Sequence, residues 1–224
     1  CESIAESIED PEMKGKIYYQ AAYKTRYKMD DIICDSMKSE GYISYKPVKD
    51  YSNELIRLAN KGLEYNLEKS VEKSMWMTKA QGHYTKRDML CIKDPKYPKE
   101  TLEIIKCELH ILKIIISEQK EKEVINPIHL EHDCRKTHVD RAEISRCLSE
   151  IKPFNYYKEQ NDIIRERYEY IYRIIYHCLS YVQNKQPCFQ QVEKVIEDPE
   201  TKKELLNYLR NEKMPPDFPP NTGP

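Results

Sequence analysis

Only five glycines occur among 224 residues, where roughly 7% would be ordinary, and this shortage restricts the fold more than any other feature. Tight hairpins need residues at φ > 0, supplied by glycine or by Asn-Gly and Asp-Gly pairs. Neither pair occurs in the chain. Lys, Glu, Leu, Ile and Tyr instead fill long stretches in which apolar residues recur with a period of about 3.6. The sequence predicts an all-α protein, a disulfide-stabilised helical bundle that carries traces of a divergent internal duplication.

Helix starts are written in a repeated pattern: Ile8-Glu9-Asp10-Pro11, Ile92-Lys93-Asp94-Pro95 and Ile196-Glu197-Asp198-Pro199. An aspartate carboxylate accepts from free amides of the first turn, and proline fits the next position because its missing N–H has no partner there. With these starts the spacing predicts helices over 2–9, 11–38, 50–77, 96–122, 137–151, 156–183, 188–197 and 199–212. In the third, Leu55, Ala59, Leu63, Leu67, Val71 and Met75 make one stripe, with Gly62 as a possible bend. Gly82 is read as a loop, and the tyrosine- and isoleucine-rich helix over 156–183 as central. A second repeat, Cys-x-Ser at Cys34, Cys147 and Cys178, places each cysteine on an apolar helix face. The expected organisation is a helical unit over 1–123, a second over 124–213 packed on it, and a flexible tail over 214–224 holding five of the 13 prolines.

Charge excludes more than it assigns. The 37 Lys+Arg against 38 Asp+Glu leave a net charge of −1, which argues against a nucleic-acid partner. A mean hydropathy of −0.82 and the lack of any run of about 18 apolar residues argue against a membrane span. The cysteines Cys1, Cys34, Cys91, Cys107, Cys134, Cys147, Cys178 and Cys188 include no Cys-x-x-Cys pair, so disulfide cross-links are expected rather than zinc or thioredoxin-like chemistry. Disulfides place the protein in an oxidising compartment, secreted and extracellular. The chain begins at Cys1 without methionine, as removal of a signal peptide would leave it.

Chemistry-bearing constellations are few. His129, His132 and His138 lie around Cys134 and include zinc-ligand types, but their spacing matches no standard zinc pattern, and Cys134 cannot be both a ligand and half of a disulfide. No nucleophile elbow, metalloprotease motif, phosphate-cradling loop or EF-hand loop is present, so no catalytic residue, no enzymatic activity and no cofactor are expected. Tyrosine is conspicuous, 18 against 3 Phe and 1 Trp. It combines a large apolar ring with a polar tip and serves cores and recognition surfaces alike.

Two segments, Cys91...Tyr97...Cys107 and Cys178...Tyr181...Cys188, place a tyrosine between two cysteines, at different distances in the two copies. In this the chain resembles the bicycle proteins, secreted salivary effectors of aphids with paired Cys-Tyr-Cys motifs. The resemblance implies an insect effector delivered into plant tissue, acting by interaction with a host protein or other macromolecule, with Tyr97 and Tyr181 as motif tyrosines. The chain is also similar to odorant-binding-like salivary proteins in being small, helical and disulfide-bonded, but lacks their two cysteines separated by three residues. A secreted carrier of a small apolar ligand is therefore the alternative, and an intracellular helical scaffold the third reading.

Overall fold

The computed structural model describes residues 2–39, 45–90, 98–121 and 154–215, together with Asp140, Ala142, Glu143 and Arg146. The described residues form eight helices and no strand: α1 (Glu2–Glu6), α2 (Pro11–Ser39), α3 (Tyr45–Gly62), α4 (Lys69–Leu90), α5 (Pro98–Glu121), α6 (Phe154–Tyr181), α7 (Gln186–Val195) and α8 (Pro199–Arg210). The protein is all-helical. From α2 to α6 each helix packs beside the next, α7 lies on α5, and α8 packs on both α6 and α7.

Two of the Asp-Pro starts act as their chemistry requires. Asp10 Oδ1 accepts from the amide of Glu12 at 2.9 Å at the head of α2. Asp198 Oδ2 accepts from the amide of Thr201 at 2.9 Å and from its hydroxyl at 2.8 Å at the head of α8. Asp94-Pro95 and the helix expected over 137–151 lie outside the described residues, apart from the four named above.

The expected helix over 50–77 is two helices. α3 ends at Gly62 and α4 begins at Lys69, with a turn between them. Leu55, Ala59, Leu63, Leu67 and Met75 of the period-four stripe share one cluster, which does not include Val71, and the chain reverses between them. A Cβ at Gly62 would run into the tip of Met75, so the glycine lets the returning helix close on the end of the first. Gly82, read as a loop, lies inside α4 against Ile56 and the carbonyl of Ser52 on α3. Its missing side chain permits a close helix crossing rather than a turn.

Buried apolar residues fall into two clusters. The N-terminal one joins α1 to α4 through Ala5, Tyr18, Ala22, Met29, Leu55, Ala59 and Met75, among others. The C-terminal one, rich in isoleucine and leucine, joins α5 to α8. Neighbours Met75 and Trp76 on α4 serve different clusters, so this helix ties the two together. The two clusters meet at α4. The central helix is α5 rather than α6, since Ile104, Ile105, Cys107, Leu109, Ile111, Leu112 and Ile115 on it are all buried. Lys73 fastens three helices, reaching Glu118 at 3.3 Å on α5 and Glu166 at 3.2 Å on α6.

Candidate binding surfaces and a buried polar network

α2 turns one face toward its neighbours through Tyr18, Ala21, Ala22 and Met29 and leaves the opposite face to solvent. Tyr19, Tyr23 and Tyr27 follow one another at four-residue intervals, from Tyr19, half-buried against the N-terminal cluster, to Tyr23 and Tyr27 on the outer face. The Tyr19 and Tyr23 rings are 6.0 Å apart, and those of Tyr23 and Tyr27 meet edge to face at 4.8 Å. The hydroxyls of Tyr23 and Tyr27 bond to each other at 2.7 Å. Tyr27 is 53% exposed.

A second group lies where the C-terminal parts of α4 and α6 meet the middle of α5. Glu108, on α5, is 0% exposed. Its Oε1 accepts from the Tyr84 hydroxyl at 2.5 Å and from Arg173 Nε at 2.9 Å. Tyr84 OH also lies 2.6 Å from His177 Nε2 and accepts from Arg173 Nη2 at 3.1 Å. Arg87 Nη1 approaches His177 Nδ1 at 3.3 Å. Guanidinium only donates, so Nδ1 is the acceptor and the imidazole proton sits on Nε2, directed at Tyr84. With its own proton given to Glu108, Tyr84 then has both lone pairs used.

Burial sets the protonation of this network. It pushes the Glu108 carboxyl up to about 7, against the opposing pull of Arg173 and Tyr84. It lowers His177 to about 3, with Arg87 and Arg173 acting in the same direction, so the imidazole is neutral. The Tyr84 phenol is raised, first by burial and then by Glu108. Among the described residues, Glu108 Oε2 and His83 Nε2 are buried without a hydrogen-bond partner. His83 Nδ1 meets Glu100 Oε2 at 2.6 Å, and Lys86 meets the other oxygen at 3.0 Å. These hydrogen bonds, His83's first, hold the Glu100 carboxyl near 2.

Tyr181 covers the network. Its ring lies 4.7 Å from the Arg87 guanidinium, which stands 5.0 Å from the Tyr84 ring on its other contact. Tyr181 also meets Tyr176 edge to face at 5.8 Å. The disulfide Cys178–Cys188, with a Cα–Cα separation of 6.1 Å, ties this end of α6 to α7. Lys185 closes the turn by donating to the carbonyls of Leu179 and Val182.

The cysteine expectations divide. Cys178 and Cys188 are bonded, but Cys34 and Cys107 are free thiols, the first exposed and the second buried. Cys34 therefore does not share the buried setting of Cys178 that the Cys-x-Ser repeat led one to expect, because its position on α2 falls on the tyrosine side of the helix. Cys107 is enclosed in α5, where burial pushes its thiol up to about 12. Cys1, Cys91, Cys134 and Cys147, the motif residue Tyr97, and His129, His132 and His138 lie outside the described residues. Among the described residues no group of three or more His, Cys, Asp or Glu is placed to hold a metal ion, and no helix is long and apolar enough to cross a membrane.

Two concavities open on the C-terminal half. One, of about 360 Å³, lies between α5 and the start of α8 and is crossed by the ion pairs Lys113–Glu197 at 2.6 Å and Lys120–Asp198 at 2.7 Å. The other, of about 660 Å³, lies beside α7, with Phe189 among Glu193, Lys194 and Arg210. Both are open grooves with charged rims. No protein-family model matches the chain, and no curated protein and no solved structure matches it.

Proposed function

We propose that the protein is a secreted, non-enzymatic effector that acts by binding a host macromolecule, with the outer face of α2 as its binding surface. The observation that carries this reading is the pair Tyr23 and Tyr27, exposed and packed on each other on the outer face of α2, with Tyr19 at the edge of that face against the N-terminal cluster. Tyrosines presented on a rigid helix supply contact area at small entropic cost and are favoured at recognition surfaces. The Cys178–Cys188 bridge is compatible with an extracellular protein. The Cys-Tyr-Cys resemblance is what points to an insect effector and a plant host. The buried network around Glu108 holds the bundle together in this reading and is not assigned a reaction.

The test is capture from plant extract on immobilised protein, with the wild type compared against a Tyr23→Ser/Tyr27→Ser variant whose melting temperature is unchanged. Host components retained by the wild type and lost by the variant are expected. An identical set retained by both overturns the assignment of this surface.

A further inference from the structure

The tyrosine run does not stand alone on its helix. Between Met13 and Met29, α2 carries Lys14, Lys16, Lys24, Arg26 and Lys28 and no acidic residue, in a chain whose net charge is −1. The cationic groups divide by what they already hold. Lys16 is paired with Glu12 at 2.5 Å and Glu68 at 3.6 Å, and Arg26 leans toward Asp30 at 3.9 Å. Lys24 and Lys28 are exposed, and each directly follows a tyrosine of the run. The repeat Tyr23-Lys24 and Tyr27-Lys28 therefore sets two rows side by side on the helix, one phenolic and one cationic. Each row steps by four residues, a rise of about 6 Å.

That arrangement has a chemical complement. The Tyr23 and Tyr27 hydroxyls share one hydrogen bond, which uses one of their two protons and leaves the other O–H free to donate. A phenol O–H and an ammonium both favour a carboxylate acceptor, and charge-assisted bonds of this kind are the stronger ones. Carboxylates spaced by one helical turn match both rows at once. In the edge-to-face packing of Tyr23 and Tyr27 one ring's edge covers a face of the other and the planes stand 79° apart, so the pair offers no parallel platform for successive nucleobases, which favours a polypeptide over a single-stranded nucleic acid. We propose that the Tyr-Lys face of α2 docks an acidic helix whose carboxylates recur every four residues beside an apolar stripe. This deepens the binding assignment of the preceding section and rests on it.

The probe is a fluorescein-labelled helical peptide with glutamate at every fourth position and leucine alongside, titrated with the full chain and read by anisotropy. Wild-type protein is expected to bind it, more weakly as salt rises. Lys24→Glu/Lys28→Glu is expected to weaken binding by about tenfold or more, and the charge-reversed protein is expected to prefer a peptide with lysine in place of glutamate. Absence of binding to the acidic peptide, indifference to charge reversal, or tighter binding of oligouridylate each overturns the proposal. If capture from extract depends on Tyr23 and Tyr27 while the acidic peptide is ignored, the partner class is wrong and the surface stands. If capture is indifferent to those tyrosines, the surface itself is wrong.

Discussion

On α2, Tyr23 and Tyr27 sit one turn apart, pack edge to face and bond to each other, with only the outer surface of a helix beneath them. On α6, Tyr176 and Tyr181 also pack edge to face near a helix end, and Tyr181 is 42% exposed. Behind this second pair lies a chain of polar groups drawn from three helices: Arg87 and Tyr84, Glu108, Arg173 and His177. A disulfide fixes the element that carries it. Similar rings thus do different work. The α6 pair covers polar groups whose desolvation must be compensated, while the α2 pair compensates nothing inside the molecule and is free for something outside it.

The largest effect is expected at the base of the α6 cluster. Glu108→Leu leaves Arg173 and Tyr84 without their shared acceptor. Removing one partner of a buried pair costs about 3–5 kcal/mol; the lower end applies, since the Arg173 side chain is 35% exposed and can turn to water. Urea unfolding measures this. In a cycle with Tyr84→Phe the two losses should be strongly non-additive, because both remove the same hydrogen bond. Additive losses would mean that the network is only a set of neighbours.

Next comes the cross-link. Cys178→Ala/Cys188→Ala opens a loop spanning a sequence separation of 10 and is expected to cost about 2–3 kcal/mol by loop entropy. Alanine is chosen because both positions are buried and a serine hydroxyl there would lack partners. Reduction with dithiothreitol should lower the wild-type melting temperature by more than it lowers the variant's.

Acid should loosen the C-terminal half, with opposing contributions that can be separated. His177, lowered to about 3, and His110, lowered to about 4 by burial against the Trp76 ring and by nearby lysines, must both stay neutral in the folded state. The unfolded chain binds their protons first, so each contributes stability that is lost as pH falls below about 6.5. Glu108, raised to about 7, does the reverse. The folded state holds its proton more tightly, so acidification to about 4.5 adds stability. Two protons against one leave a net loss of about 1.4 kcal/mol per pH unit between about 6.5 and 4.5. Glu108→Gln should steepen that slope and His177→Gln flatten it, as measured by urea midpoints at several pH values.

Much of the helical frame is legible in the sequence, because capping and periodicity are local. Asp10-Pro11 and Asp198-Pro199 open helices where the residues say they should. The α3–α4 reversal escaped because a stripe that continues in sequence does not show that the chain folds back on itself at Gly62. The Glu108 network escaped for a different reason. Tyr84 and His177 lie 93 residues apart, and nothing local pairs them. One signal was present: Glu108 stands four residues from both Ile104 and Leu112 on a buried side of α5, a carboxylate in an apolar row, which obliges distant partners. Cys107, adjacent to it, shows the limit of counting cysteines, since an even number does not prevent a core position from keeping a thiol.

The smallest effect on stability belongs to the α2 pair, and that smallness discriminates between the two tyrosine groups. Tyr181→Ala removes a ring from the face of Arg87 and should cost about 1 kcal/mol, because the guanidinium beneath it is buried. Tyr27→Ala removes a ring whose main contact is Tyr23 and whose hydroxyl bonds only to another exposed hydroxyl among the bonds described. Surface changes of that kind fall within about 0.5 kcal/mol. Parallel thermal melts of the two variants should therefore separate, with Tyr181→Ala lower and Tyr27→Ala close to wild type. A Tyr27→Ala loss as large as that of Tyr181→Ala would show that the α2 rings stabilise the helix against its own neighbours. The face would then be part of the fold and not a surface held in reserve for a partner.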